Sequence, residues 1–223
     1  MITMLNCDCM EYMATLPDKA FELAIVDPPY GIGKDAMHQG RLKKGSGKLK
    51  NICLQRMDTK WEETPPTQEY FDELRRVSVN QIIWGGNYFS PPPTRGIIVW
   101  DKMQPWENFS QVELAWSSFD KPAALYQQNN SFTQPSKIHP TQKPIALYKW
   151  LLSRYAKPGD RILDTHGGSG SIAIACHDLG YDLTWMELDK DYYDSACARY
   201  KLHASQAQLF EPTPPPPKQE NLL

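Results

Sequence analysis

No apolar run in this chain approaches the length that a membrane-spanning helix needs. The first residues also lack a basic start followed by an apolar core, so the sequence predicts a cytoplasmic protein with no membrane partner. Cysteine is scarce and unpaired. Cys7, Cys9, Cys53, Cys176 and Cys197 form an odd set without repeated spacing, which argues against a disulfide framework and for reduced, structural thiols. Cys7 and Cys9 have no further ligand pattern around them, so no metal site is predicted. A general excess of positive charge is missing too. The formal net charge is −2, and any anion-binding surface must therefore be local. Internal repeats are absent.

What is present is an ordinary globular composition, 41% hydrophobic and 22% charged over 223 residues, enough for one α/β domain with a full core and little else. That domain is predicted to span 1–210. Residues 211–223, with Pro214-Pro215-Pro216-Pro217 inside them, cannot bury a core and read as a disordered tail. Strands are predicted at Ile2–Leu5, Glu22–Val26, Gln81–Trp84, Gly96–Trp100, Val112–Trp116, Arg161–Leu163 and Leu183–Met186. Helices are predicted over Met10–Leu16, after a Thr67 cap through Tyr70, Phe71, Leu74 and Val77, from Pro144 onward, over Ile172–Leu179 and from Tyr192. Phe119 to Ser136 reads as polar and irregular. Residues 31–60 carry Lys34, Arg41, Lys43, Lys44, Lys48, Lys50, Arg56 and Lys60 against only Asp35 and Asp58, which reads as a mobile, cationic loop.

Two constellations carry chemistry. Asp27-Pro28-Pro29-Tyr30 directly follows the apolar run Glu22–Val26, at the carboxyl end of a strand, where open α/β sheets place their ligands. A carboxylate there can accept from an exocyclic amine. Proline has no N–H, so the Pro28 carbonyl can serve as a second acceptor, and the Tyr30 ring can stack on a flat base. The second constellation is Asp164-Thr165-His166-Gly167-Gly168-Ser169-Gly170-Ser171, between a strand and a helix. Glycines let backbone approach a ligand there, and Glu187 at the end of the next strand can accept both hydroxyls of a ribose. Gly168, Gly170 and Ala173 also fit a dinucleotide fingerprint, but such folds build several strands after that unit and only one follows here.

Extended through Gly31-Ile32-Gly33, the first constellation resembles the catalytic motif of the amino-group DNA methyltransferases, which methylate adenine N6 or cytosine N4 with S-adenosylmethionine. The resemblance runs from about Ile2 to about Arg199. His139-Pro140-Thr141-Gln142-Lys143-Pro144 is similar to the family segment beside the methionine end of the cofactor, and Asp8 to the family acid near its adenine. Catalytic motif first and cofactor loop last is the circularly permuted order of the β class. The resemblance implies a doubly wound, mostly parallel, Rossmann-like sheet. It implies Asp27, Pro28, Pro29 and Tyr30 as catalytic residues, and Asp8, Lys143, Asp164, His166, Gly168, Ser169, Gly170 and Glu187 as the cofactor set. Asp164 can equally hold the glycine loop, and Asp189 is expected to be a helix cap.

One departure stands out. The family usually has Asp-Pro-Phe before the glycine loop, where this chain has Asp164-Thr165-His166. His166 either stacks on the cofactor or is a polar loop residue. Asp rather than Ser at position 27 leans toward adenine. The expected activity is therefore N6 methylation of a flipped adenine in double-stranded DNA, with cytosine N4 as the alternative. An NAD-type oxidoreductase and an inactive DNA-binding module remain alternatives from other classes. Lys43, Lys44, Lys48 and Lys50 are the DNA-contact candidates, and about 103–136 is the expected target-recognition region. The oligomeric state, homodimer included, is left open. Gln206-Ala207-Gln208-Leu209-Phe210 resembles peptides that dock on sliding clamps, although Leu209 and Phe210 packing on their own domain is the simpler expectation.

Overall fold

The strand Phe21–Val26 (β2) is apolar on both sides because both sides are covered. Leu23 and Ile25 enter one cluster of buried residues, and Ala24 and Val26 enter a second. A strand of this kind belongs in the middle of a sheet sandwiched by helices. The computed structural model describes residues 1–32, 64–104, 110–129, 138–139 and 141–206.

In chain order the elements are β1 (Ile2–Leu5), α1 (Cys9–Ala14), β2, α2 (Gln68–Val77), β3 (Ser78–Trp84), β4 (Ile98–Asp101), β5 (Val112–Ser117) and β6 (Ala124–Gln127). These are followed by α3 (Ile145–Tyr155), β7 (Arg161–Asp164), α4 (Ser171–Leu179), β8 (Asp182–Met186) and α5 (Lys190–Ala204). The strands form one sheet in the order β1-β8-β7-β2-β3-β5-β4-β6. Pairing is parallel except on the two sides of β5, so the sheet is mostly parallel as expected. Residues of α3, α4 and α5 pack in the cluster with Leu23, Ile25 and Trp84, while α1 and α2 pack in the cluster with Ala24, Val26 and Met186. The sheet is thus doubly wound.

Caps follow the local sequence. Asp8 caps α1 by accepting from the N–H groups of Met10 and Glu11, and Asp189 caps α5 in the same way. Thr67 holds the N-cap position of α2 but makes no cap bond, because its hydroxyl is engaged by the Glu69 carboxylate. Strand β3 starts three residues before the expected Gln81, since α2 runs straight into it at Ser78, whose hydroxyl donates to the Leu74 carbonyl.

The segment expected to be irregular contains β6. It pairs in parallel with β4 and is fastened where the Trp100 indole donates to the Gln128 carbonyl at 2.9 Å. As an edge strand with Leu125 58% exposed, β6 has no need of an apolar alternation, and so left no periodic signal. Trp84 and Trp100 are core, fully buried and edge-to-face at 6.4 Å. No helix among the described residues is long and apolar enough to cross a membrane. Lys43, Lys44, Lys48 and Lys50, positions 105–109 and 130–136 of the expected recognition region, and Ala207 to Phe210 lie outside the described residues.

Candidate active site

β1, β2, β7 and β8 are mutually parallel neighbours, so their carboxyl ends open on the same side of the sheet. The residues just past those ends line one cavity of about 500 Å³: Asp8 after β1, Asp27 to Tyr30 after β2, Thr165 to Ser169 after β7, and Glu187 after β8. His139, Gln142 and Lys143 close it from the segment before α3. The two constellations, far apart in sequence, therefore share one chamber.

At the glycine end the backbone comes close to its neighbours. A Cβ on Gly167 would fall 1.7 Å from Trp185 Nε1, so no other residue fits over that buried indole. Gly168 has φ +51°, and its N–H donates to Glu187 Oε2 at 2.8 Å. Glu187 Oε1 accepts from the Asp189 N–H at 2.9 Å. A carboxylate can accept about four hydrogen bonds, so Glu187 keeps acceptor capacity for a ligand in the cavity. Burial raises the Glu187 carboxyl above the usual range, and the backbone donors act against that.

Asp164 does not line the cavity. It is buried beneath the loop, where its Oδ1 accepts from the His166 N–H at 3.1 Å, and burial pushes its carboxyl well up. Gly170 also sits behind the wall, as the left-handed N-cap of α4. Ser169 lines the cavity, with its hydroxyl 3.2 Å from that of Ser171.

His166 lines the cavity with its imidazole Nδ1 2.9 Å from Thr165 Oγ1 and 3.4 Å from the Tyr70 hydroxyl, while the Tyr70 ring meets it edge-on at 5.2 Å. Burial pushes the imidazole down to about 4, so it is neutral at pH 7. His139 lies over the glycine loop, with its ring 4.4 Å from Tyr192 and its Nδ1 3.1 Å from Thr141 Oγ1. It too is pushed down to about 4, chiefly by burial and further by Lys143.

At the other end the Tyr30 hydroxyl donates to Asp27 Oδ1 at 2.6 Å. One side of the Tyr30 ring stacks on Tyr88, with centroids 4.9 Å apart and planes 13° from parallel, and Phe89 meets it edge-on. Gly85 makes this placement possible, since a Cβ there would lie 2.2 Å from Tyr30 Cε1. Burial first and the Asp27 charge second hold the Tyr30 phenol well above its ordinary range, so it donates rather than ionises.

Lys143, expected beside the cofactor, lines the cavity with its ammonium turned onto Asp27. Its ammonium pairs with Asp27 Oδ2 and lies 3.1 Å from Glu113 Oε2, and its side chain is 2% exposed. Glu113 Oε1 in turn meets Lys102 Nζ at 2.6 Å. Burial opposes each charge, yet the mutual attraction wins: Lys143 is held above the ordinary lysine range and Glu113 below the usual carboxylate range.

Glu113, Lys102 and Tyr88 were not singled out in the sequence. The available signal was a lone acid in the strand Val112-Glu113-Leu114-Ala115-Trp116, a charge that burial obliges to find a partner. Among the described residues no group of three or more His, Cys, Asp or Glu side chains could hold a metal.

The chain is similar to known DNA methyltransferases. The Type II methyltransferase M.HinfI of Haemophilus influenzae is 25% identical over 253 residues, covering 89% of this chain and 68% of its own length. The crystal structure of the M1.HpyAVI–SAM complex superposes with a TM-score of 0.55 at 20% identity, over 89% of this chain and 100% of that one. The cytosine-N4-specific PvuII DNA methyltransferase gives a TM-score of 0.60 at 15% identity, over 94% and 88%. These two likenesses establish the Rossmann-like fold. The family model described as DNA methylase, covering N6 and N4 enzymes, matches residues 83–198, a little over half of the chain. The chain belongs to the N6/N4 DNA methylase family.

Proposed function

We propose that this DNA methyltransferase transfers a methyl group to the exocyclic N6 amine of an adenine flipped out of double-stranded DNA. The observation that carries the reading is that Asp27-Pro28-Pro29-Tyr30 and the Gly167–Gly168 loop with Glu187 line one cavity. The target must leave the helix because N6 is otherwise held in a base pair.

The residues present fit S-adenosylmethionine. A cavity of about 500 Å³ is in the range of ligand pockets. Glu187 keeps free lone pairs for a ribose diol, and the glycine backbone admits close approach. Asp8 and the neutral rings of His139 and His166 line the same cavity. When bound, the cofactor supplies an electrophilic methyl group on a sulfonium sulfur.

The chain's own groups do the rest. Tyr30, backed by Tyr88, offers its other face to the flipped base. Asp27 accepts from the amino group and orients its lone pair, with the Pro28 carbonyl as the second acceptor. Asp27 also stands where it can take the proton that the amine must shed. No cysteine adduct is needed, and Cys9, whose thiol burial pushes up to about 12, is poorly suited to form one. Positioning and fixed dipoles account for most of the acceleration. The lysines of the cationic loop, Lys43, Lys44, Lys48 and Lys50, contact phosphates in this reading.

The test is incubation with S-adenosylmethionine and DNA from a methylation-deficient host, followed by digestion to nucleosides and mass spectrometry. N6-methyladenine is the expected product. N4-methylcytosine alone would overturn the choice of base. Absence of either product with all DNA tested would overturn the activity.

A further inference from the structure

The reading of Asp27 as the acceptor for the reacting amine leaves its supporting side chains without a role. A carboxylate on a loop is a poor guide for a reaction unless something fixes its torsion. Small errors in the position of a reacting group are costly, and catalytic side chains need supports held by packing and hydrogen bonds. Asp27 has two supports. Tyr30 takes Oδ1, but Tyr30 must also receive a base on its ring and so is a support that can shift.

The second support is rigid. Lys143 is 2% exposed in its side chain, with its ammonium 5.1 Å from the centre of the Trp84 ring, and Trp84 is fully buried. Its backbone precedes Pro144, which stands at the N-cap of α3. The loop behind it is tied where Gln142 Oε1 accepts from the Ile138 N–H at 3.1 Å and the Gln142 N–H donates to the His139 carbonyl at 3.2 Å.

Among the described residues the buried Glu113 Oε2 has no hydrogen-bond partner, and the Lys143 ammonium 3.1 Å away is its ion-pair contact. The Lys143 ammonium is therefore held by two carboxylates, Glu113 and Asp27. Lys102 at 2.6 Å fixes the other Glu113 oxygen. The chain of contacts Lys102–Glu113–Lys143–Asp27 runs from strand β5 to the reacting group without a gap. It also answers an electrostatic problem. A lone cation beside Asp27 would oppose the positive charge that develops on the amine, and the second carboxylate offsets that cation.

We propose that Lys143, braced by Glu113, is a positioning residue for methyl transfer that aims the Asp27 carboxylate at the target amine, and that it does not act as a cofactor ligand. It works through Asp27, and that distinguishes it from a residue that merely holds the fold.

The experiment is a double-mutant cycle on the full chain. Single-turnover methyl transfer is read with saturating radiolabelled S-adenosylmethionine and DNA from a methylation-deficient host. Cofactor affinity is read separately by calorimetry. Lys143→Met leaves two carboxylates facing each other and can compromise folding, so the neutral pair Lys143→Met/Glu113→Gln is made alongside it. Either variant should lower the transfer rate about 30-fold or more while changing the cofactor Kd less than about 3-fold. Asp27→Ala should cost about 10²–10³ in rate. Adding the Lys143 or paired change to Asp27→Ala should cost nothing further, since there is no carboxylate left to aim.

Multiplying losses in the combined variant would overturn the inference, as would a cofactor Kd weakened 10-fold with an unchanged rate at saturation. In either case the unaltered protein still methylates DNA, and the proposed function survives. No transfer by the unaltered protein would overturn both.

Discussion

Gly85→Ala is expected to damage this protein far more than one methyl group suggests. The added Cβ would lie 2.2 Å from Tyr30 Cε1 and 2.5 Å from Cδ1, well inside contact distance, so the ring must move. Gly85 also has φ +72°, a conformation that costs an L-residue roughly 1–2 kcal/mol. Displacing Tyr30 breaks its bond to the Asp27 carboxylate, the kind of charged hydrogen bond that contributes about 1.5–3 kcal/mol. It also breaks the stack on Tyr88, a further contribution of about 0.5–1.5 kcal/mol. Water recovers part of the first loss, so the net cost is about 3–4 kcal/mol, or roughly 6–16 °C in Tm for a domain of this size. Thermal unfolding of Gly85→Ala against the unaltered protein reads the total. The same substitution in a Tyr30→Ala background reads its origin: with the ring gone, only the backbone cost of about 1–2 kcal/mol should remain. A Gly85→Ala variant within about 1 kcal/mol of the parent would refute the reasoning, as would an equal cost in both backgrounds.

Other outcomes follow from the same geometry. Glu187→Ala removes the acceptor for the Gly168 and Asp189 N–H groups as well as the proposed ribose contact, and should weaken S-adenosylmethionine binding at least about tenfold by calorimetry, while an unchanged Kd would remove Glu187 from the site. His139 and His166 take a proton near pH 6.5 when unfolded but only at about 4 in the fold, so the unfolded chain binds more protons between those values and stability falls as pH drops from about 6.5 toward 4. At pH 5 each contributes a loss of about 1–2 kcal/mol, and His166→Phe should shrink the difference between urea unfolding at pH 7 and pH 5; an equal difference in that variant would count against a buried, neutral His166. Replacing Lys43, Lys44, Lys48 and Lys50 with glutamine should weaken DNA binding alike on all sequences and flatten the dependence of affinity on salt by about 0.9 per lost phosphate contact, and an unchanged slope would dismiss the loop as a DNA contact.

What the sequence made legible follows from how locally each feature is encoded. Strand β2 and the residues after it could be read because an apolar run followed by Asp27-Pro28-Pro29-Tyr30 carries its structure and its chemistry within ten positions. The glycine loop and Glu187 were legible for the same reason. The pairing of Lys143 with Asp27 was not legible because the sequence around it describes only its own loop. Its partner Asp27 lies 116 positions away, and nothing local states that the side chain turns to that carboxylate. Asp164 shows the converse. Its position at a strand end next to the glycines suggests a ligand contact, yet the His166 N–H claims its carboxylate and burial closes it off. The edge strand β6 escaped because half-exposed backbone pairing leaves no hydrophobic period.

The pairing of β1 with β8 sets a timetable for synthesis. Ile2 lies opposite Leu183 and Leu5 opposite Met186, so the earliest strand meets its neighbour only after about 180 further residues have been made. Until then Ile2–Leu5 has no strand among the described residues to lie against, and Asp8 waits without its side of the cavity. Chains emerge at roughly 5–20 residues per second, so this edge stays open for on the order of ten seconds or more, a long-range closure of the kind that slows folding. The β2–β3 half of the sheet can form on the ribosome, but the cavity cannot. A chain stalled before Asp182 would carry Asp27-Pro28-Pro29-Tyr30 intact and still lack Glu187 and a partner for β1. Ligand binding at this cavity therefore reports that the sheet has closed.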